Sequence, residues 1–253
     1  MRILVTNDDG IFTEGIYYLA KELQKIGEVI VAAPDMERSA TGHAITIYTP
    51  LRAKKINFFD TNIEAYSING TPADCVKLSI ECLLEGRVPD IVLSGINNGP
   101  NLGTDVLYSG TVSAAIEAAI MDIPSIAISM GDINITQYYD AAEYAVKIAK
   151  KILHNKKDFE TIININYPTC SKEDVKGVKI TKLGTRKYIN SYVERKDPRG
   201  NSYYWISGTV MDMEQDQDSD IIALRENYIS ITPISYDLTN NKVFDKLKAK
   251  KLL

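Results

Sequence analysis

RILVTNDDG, from Arg2 to Gly10, decides the fold. Ile3, Leu4, Val5 and Thr6 form a continuous apolar or β-branched run, which is how a strand covered on both faces reads; a strand with one wet face would alternate. The run ends on two adjacent carboxylates, Asp8 and Asp9. Side by side they repel, and at the edge of a core each also loses water, so something positive should meet them: a lysine, a helix end or a metal.

The same continuous pattern recurs at Val29–Ala33, Ile91–Ser94, Ser125–Ser129 and Thr161–Ile165. Between these runs, Ile16, Leu19, Ala20 and Leu23 recur at helical spacing, as do Ala141, Tyr144, Ala145, Ile148 and Ile152. A third helix starts at Thr71-Pro72-Ala73-Asp74, with a hydroxyl cap, a proline at the first helical position and a carboxylate in the first turn, and is expected to run to about Leu84. Strands alternating with crossover helices predict an α/β, Rossmann-like, doubly wound and mostly parallel sheet.

After about Lys176 the chain turns polar and tyrosine-rich. β-type segments are expected at Tyr203–Val210, Ile221–Leu224 and Tyr228–Pro233, with a turn at Arg195–Asn201 (RKDPRGN). They read as a C-terminal β-hairpin extension outside the doubly wound core, closed by a helical tail over Asn240–Leu253. The expected division is a catalytic core over 1–175 and an extension over 176–253 that completes the fold and serves oligomerisation. The five lysines of the tail beside Val243, Phe244 and Leu247 suit a solvated helix or a subunit-docking arm better than a membrane contact.

Composition narrows the function. The chain has 253 residues, 45% of them hydrophobic, enough for a substantial core, and a net charge of −4. It carries no basic footprint for duplex nucleic acid, whereas a small anionic ligand needs only a local pocket. Cys75, Cys82 and Cys170 include no CxxC pair, the start lacks a leader pattern, and no apolar run reaches the roughly 18 residues of a membrane span. A cytoplasmic protein is expected.

Chemistry in such a sheet gathers in loops past the carboxyl ends of the strands. Asp8 and Asp9 leave the first strand, Glu37, Arg38 and Ser39 follow the second, and Asn97 and Asn98 follow Ile91–Ser94. Taken alone, the aspartate pair also fits a helix cap beside a solvated carboxylate. Converging oxygen donors without clustered cysteine or histidine favour a hard divalent cation: Mg²⁺, Mn²⁺ or Ca²⁺. A second signal is SGINNGPNLGTDVLYSGTVSAAIEAAI, Ser94–Ile120, where Tyr108-Ser109-Gly110-Thr111 opens a helix. Two hydroxyls, unpaired N–H groups and the helix dipole there favour a phosphate, although a simply capped helix has the same look. The lysine and spacing of a Walker A loop are absent, and so is a GxGxxG after the first strand, which disfavours NTP hydrolysis and dinucleotide binding.

Seven blocks in order carry a family resemblance: ILVTNDDG, APDMERSATGHAIT (Ala33–Thr46), INGTPADCV (Ile68–Val76), PDIVLSGINNGPNLGTDVLYSGTVSAA (Pro89–Ala115), DIPSIAIS (Asp122–Ser129), DPRGNSYYWISG (Asp197–Gly208) and YISITPI (Tyr228–Ile234). Over nearly its whole length the sequence resembles the SurE family of survival proteins, metal-dependent 5′-nucleotidases. The resemblance implies that Asp8, Asp9, Ser39 and Asn97 are ligands of one divalent metal ion per subunit, Mg²⁺ or Mn²⁺, with Ca²⁺ an alternative occupant. It puts the phosphate at Ser109, Gly110 and Thr111 with Asn98 as an added donor, and makes Asp8 and Asp9 the catalytic pair. It also implies a homo-oligomer, dimer or tetramer, with exchanged segments. Ser113 and Ala118 depart from small glycines, Asn227 from a glycine that it can replace at positive φ, and Ser219-Asp220 from a Thr-Asp pair.

The expected activity is metal-assisted hydrolysis of nucleoside 5′-monophosphates, with 3′-monophosphates and short polyphosphate as further substrates. The adjacent aspartates suit metal ligation, whereas aspartyl nucleophiles of other phosphatases sit in a DxD spacing. Arg38 and His43 are candidate substrate contacts, each with a structural ion pair or hydrogen bond as its alternative. A nucleotide-sensing module without turnover is the other reading.

Overall fold

The computed structural model describes residues 1–131, 135–155, 162–189, 192–213 and 216–249. In chain order the elements are β1 (Arg2–Thr6), α1 (Glu14–Leu23), β2 (Glu28–Pro34), β3 (Ala53–Lys55), β4 (Glu64–Ile68), α2 (Pro72–Leu78), β5 (Ile91–Asn98), α3 (Gly110–Ile120), β6 (Ser125–Met130), α4 (Ile135–His154) and β7 (Ile162–Tyr167). There follow β8 (Val178–Ile180), β9 (Arg186–Ile189), β10 (Tyr192–Lys196), β11 (Ser202–Ile206), β12 (Thr209–Asp212), α5 (Asp220–Arg225), β13 (Ile229–Ile234) and α6 (Asn241–Ala249).

A nine-stranded sheet runs in the order β3-β4-β2-β1-β5-β6-β7-β13-β8. Neighbours from β4 to β7 are parallel; β3 is antiparallel to β4, and β13 is antiparallel to β7. The doubly wound expectation therefore holds. Successive residues of β1 face opposite sides, and both sides are covered. Ile3 and Val5 pack with Ile16, Leu19 and Ala145 from α1 and α4, while Leu4 packs with Val76 and Ala114 from α2 and α3. This double burial explains the unbroken apolar runs. Ala114, Ala115 and Ala118 of α3 are all buried, the close packing their size allows.

β1 pairs with β2 on one side and β5 on the other. The connections turn in opposite directions from this point, which opens a crevice at its carboxyl end. The Thr71 cap appears as a full capping box: its side chain accepts from the Asp74 N–H, and Asp74 accepts from the Thr71 N–H.

Four expectations are corrected. Ile221–Leu224 is helical, within α5, because the Ser219 side chain caps its first turn by accepting from Ile222 N–H. The apolar run alone resembled a strand. Tyr203–Val210 divides at Ser207-Gly208: β11 pairs with β10, whereas β12 pairs with β9. The helix from Pro72 changes to a π-helical turn over Ser79–Leu83. Finally, β13 and the short β8 belong to the main sheet, so the chain beyond 176 supplies sheet edge as well as hairpins. Thr161 and residues 250–253 of the expected tail lie outside the described residues. Among the described residues no helix is long and apolar enough to cross a membrane.

Candidate active site

Asp8 and Asp9 emerge from β1 at the crevice and meet different surroundings. Asp8 is buried. The Thr111 hydroxyl donates to its Oδ1, and the Thr111 backbone N–H, at the opening of α3, also serves the carboxylate. Gly110 permits this approach: a Cβ there would lie 2.8 Å from Asp8 Cβ, 3.0 Å from its Oδ2 and 3.1 Å from Pro72 Cγ. Asp9 is half-buried and receives one bond to Oδ2, from Asn98 N–H at 3.1 Å.

Both carboxyls titrate above their usual range. Burial is the main cause at Asp8, outweighing the Thr111 bonds that pull the other way. Asp9 is pushed up to about 6, first by burial, then by the charge of Asp8, with Glu37 adding to it. Tyr138 on α4 reports the same charge from the other side: burial first, then Asp9, pushes its phenol up to about 12. The structure thus adds Glu37 and Tyr138 to the neighbourhood. Glu37 stood in the right loop of the sequence; for Tyr138 no sequence signal separates it from its tyrosine neighbours.

The remaining candidates divide between the rim and its supports. The Arg38 backbone N–H donates to the Asp8 carbonyl at 2.7 Å, tying the loop after β2 to the exit of β1. Its guanidinium turns elsewhere, 3.5 Å from Asp35 and from the Asn69 carbonyl. Ser39, next in the chain, is exposed and donates to Glu37 Oε1 at 2.7 Å. Asn97 and Asn98 lie within β5, which extends past the expected Ser94 after an irregularity between Ser94 and Asn97. Asn97 Nδ2 donates to the Gly99 carbonyl at 2.6 Å, which commits the nitrogen and leaves the amide oxygen as the end able to act as a ligand. Ser109 caps α3 by accepting from Val112 N–H at 3.1 Å, so its hydroxyl hydrogen remains available. His43 is not drawn to the aspartates: its Nε2 lies 2.8 Å from Glu117 Oε2 on α3, and Glu117 also meets Lys77 at 3.4 Å.

The donor chemistry fits a hard cation. Two closely placed carboxylates are raised by burial and mutual repulsion, and among the described residues no lysine or arginine forms an ion pair with either. A helix end answers Asp8, but Asp9 has only one N–H. Among the described residues no three of His, Cys, Asp and Glu gather as a metal cage. Hydroxyl and amide oxygens would have to complete a shell around the pair, and Ser39, on the loop after β2, and Asn97, in β5, offer such groups.

Comparison with known proteins gives the family. The family description "Survival protein SurE" matches residues 3–190. The 5′-nucleotidase SurE of Alkaliphilus metalliredigens is 64% identical over 248 residues, 98% of each chain. That of Carboxydothermus hydrogenoformans is 55% identical over 252 residues, covering 98% of this chain and 95% of its own. The crystal structure of the SurE protein from Aquifex aeolicus, 41% identical, matches 99% of this chain and all of its own with a TM-score of 0.83. With the family match spanning most of its length and these relatives nearly all of it, this chain belongs to the SurE survival-protein family.

Proposed function

We propose that this protein is a 5′-nucleotidase, the activity for which its relatives are named, and that it hydrolyses nucleoside monophosphates with one divalent cation, Mg²⁺ or Mn²⁺, held by Asp8, Asp9, Ser39 and Asn97. The observation that carries the reading is the pair of upward-shifted carboxylates at the switch point of the sheet, Asp8 buried against the opening of α3 and Asp9 half-buried beside it. A bound divalent cation neutralises phosphate charge and lowers the pKa of a bound water.

The chain's own residues supply the rest. Ser109, with a hydroxyl hydrogen to give, and the Gly110 N–H that opens α3 hold phosphate oxygens, with Asn98 beside them. Thr111 is placed differently from the expected direct contact. Its hydroxyl hydrogen goes to Asp8, so we assign it to fixing that carboxylate. Asp9 Oδ1 has the freer lone pairs and is the atom we assign to take the proton from the attacking water. The water oxygen bonds to phosphorus, the bond from phosphorus to the nucleoside oxygen breaks, and that oxygen leaves with the proton that Asp9 took from the water. Such a site reads a phosphate terminus, so 3′-monophosphates and the ends of short polyphosphate belong to the proposed range.

The test is phosphate release from nucleoside 5′- and 3′-monophosphates and short polyphosphate, with EDTA, Mg²⁺ or Mn²⁺, for the wild type and Asp9→Asn. The expected result is cation-dependent release that falls roughly a hundredfold or more in the variant. Nucleotide binding without release under either cation would instead identify a sensing module.

A further inference from the structure

Nothing above accounts for Leu107 and Tyr108, two large side chains left 64% and 62% exposed immediately before the Ser109 cap. Their backbone is not loose. Tyr108 N–H donates to the Asp105 carbonyl at 2.9 Å, and the Tyr108 carbonyl accepts from Gly42 N–H at 3.0 Å. The residue is gripped on one side by its own 3-10 turn, Gly103–Leu107, and on the other by the loop that carries Ser39. Its ring has no stacking partner, cation contact or side-chain hydrogen bond among the described residues, where the aromatic pairs are made by other rings.

Other exposed aromatics are less suited to a ligand at this site. Phe12, three residues past Asp9, turns its ring edge-to-face against Phe59 at 6.2 Å. Tyr203, Tyr204 and Trp205 lie on β11, which pairs only with β10 in a separate two-stranded sheet. Tyr108 combines a backbone held between its own turn and the loop that carries Ser39 with an aromatic face that is bare among the described residues. It stands one residue from the hydroxyl that would receive a phosphate.

We infer that Tyr108 is the platform on which the base of a substrate nucleotide stacks, with Leu107 extending the apolar surface. The inference rests on the nucleotidase reading and deepens it, from a phosphate site to a nucleotide site. Every base has a π-face, so a stack of this kind separates nucleotides from base-free sugar phosphates rather than one base from another.

The experiment compares kcat/KM for adenosine 5′-monophosphate and ribose 5-phosphate in the wild type, Tyr108→Ala and Tyr108→Phe. Loss of a base–aromatic stack should lower the value for the nucleotide about tenfold in Tyr108→Ala. Ribose 5-phosphate should change by less than about twofold, and Tyr108→Phe should match the wild type on both, because a stack needs the ring and not the hydroxyl. Equal losses on the two substrates, no loss on either, or a Phe variant as impaired as the Ala variant would overturn the inference while leaving the nucleotidase reading intact. If the wild type binds adenosine 5′-monophosphate without hydrolysing it, the nucleotidase reading fails. Calorimetry then decides the inference alone: a tenfold weaker binding of the nucleotide by Tyr108→Ala supports it, and unchanged binding overturns it. A wild type that neither binds nor hydrolyses the nucleotide overturns both.

Discussion

The Thr111 hydroxyl and backbone N–H both serve Asp8, whereas Asp9 keeps a single N–H from Asn98. Two adjacent and chemically identical residues thereby acquire different tasks, one held and one available. Thr111→Val is therefore expected to act through Asp8. It should weaken cation affinity roughly 10- to 100-fold, as loss of a group orienting a metal ligand does, with Thr111→Ser restoring most of it; titration calorimetry with Mn²⁺ is the check. The pH dependence follows from Asp9. Its folded pKa of about 6 lies above the ordinary 3.8, so the folded state favours the protonated form. The stability this group contributes without cation is fully present below about pH 4 and is lost as pH rises through 6, and Asp8 pushes the same way. Thermal melts should accordingly show a larger rise of Tm on adding Mn²⁺ at pH 7.5 than at pH 5. The aspartate pair was legible in the sequence because a strand seldom ends on two charges without a counter-charge. The real partner of Thr111 was not, because hydroxyl direction depends on how α3 docks.

At the level of elements, α5 shows what an apolar run conceals. Ile221, Ile222 and Ala223 are buried as a helix because Ser219 caps them and Asp220 cannot sit in a buried strand edge without donors. Asp220 finds three: Gly103 N–H and Gly184 N–H at 2.8 Å each, and Ile221 N–H at 2.9 Å. Burial still pushes its carboxyl upward, against the pull of those bonds. This clamp joins α5 to the turn preceding Tyr108. Asp220→Ala strands its backbone donors in the interior and should cost about 2 kcal/mol or more in denaturant unfolding, without removing any candidate ligand. The loop after β2 is latched in the same fashion, by His43 to Glu117, by the Thr71 hydroxyl to the Ala44 carbonyl at 2.7 Å and by Thr46 to Asp74 at 2.6 Å. His43 was conspicuous in the sequence for its nearness to Ser39. Its partner, 74 residues away on α3, made it a support of the loop instead.

Across the whole molecule, the parallel core was readable from five continuous apolar runs because double burial removes the alternation of an ordinary strand. β3, β4 and β8 were missed for the complementary reason: short strands toward the edges bury few side chains and leave little pattern. The β10–β11 hairpin exposes Tyr192, Tyr204, Trp205 and Ile206, an apolar surface unusual on a lone subunit. We predict that light scattering at catalytic concentrations will give at least a dimer, and that deleting residues 192–206 will shift the mass downward; a monomer throughout would refute the assignment of this surface to assembly. The joint between Asp8 and Thr111 has a consequence of another kind, for the order in which the protein is made. Both aspartates exist once the first strand has been synthesised, but the hydroxyl that positions one of them follows 103 residues later. A nascent chain shorter than that carries the charges without their setting, and closing so long a span is a late event in folding. Cation capture would then report that the chain has assembled as far as the docking of α3, and an immature chain would be spared a half-built centre that binds metal before it can use it.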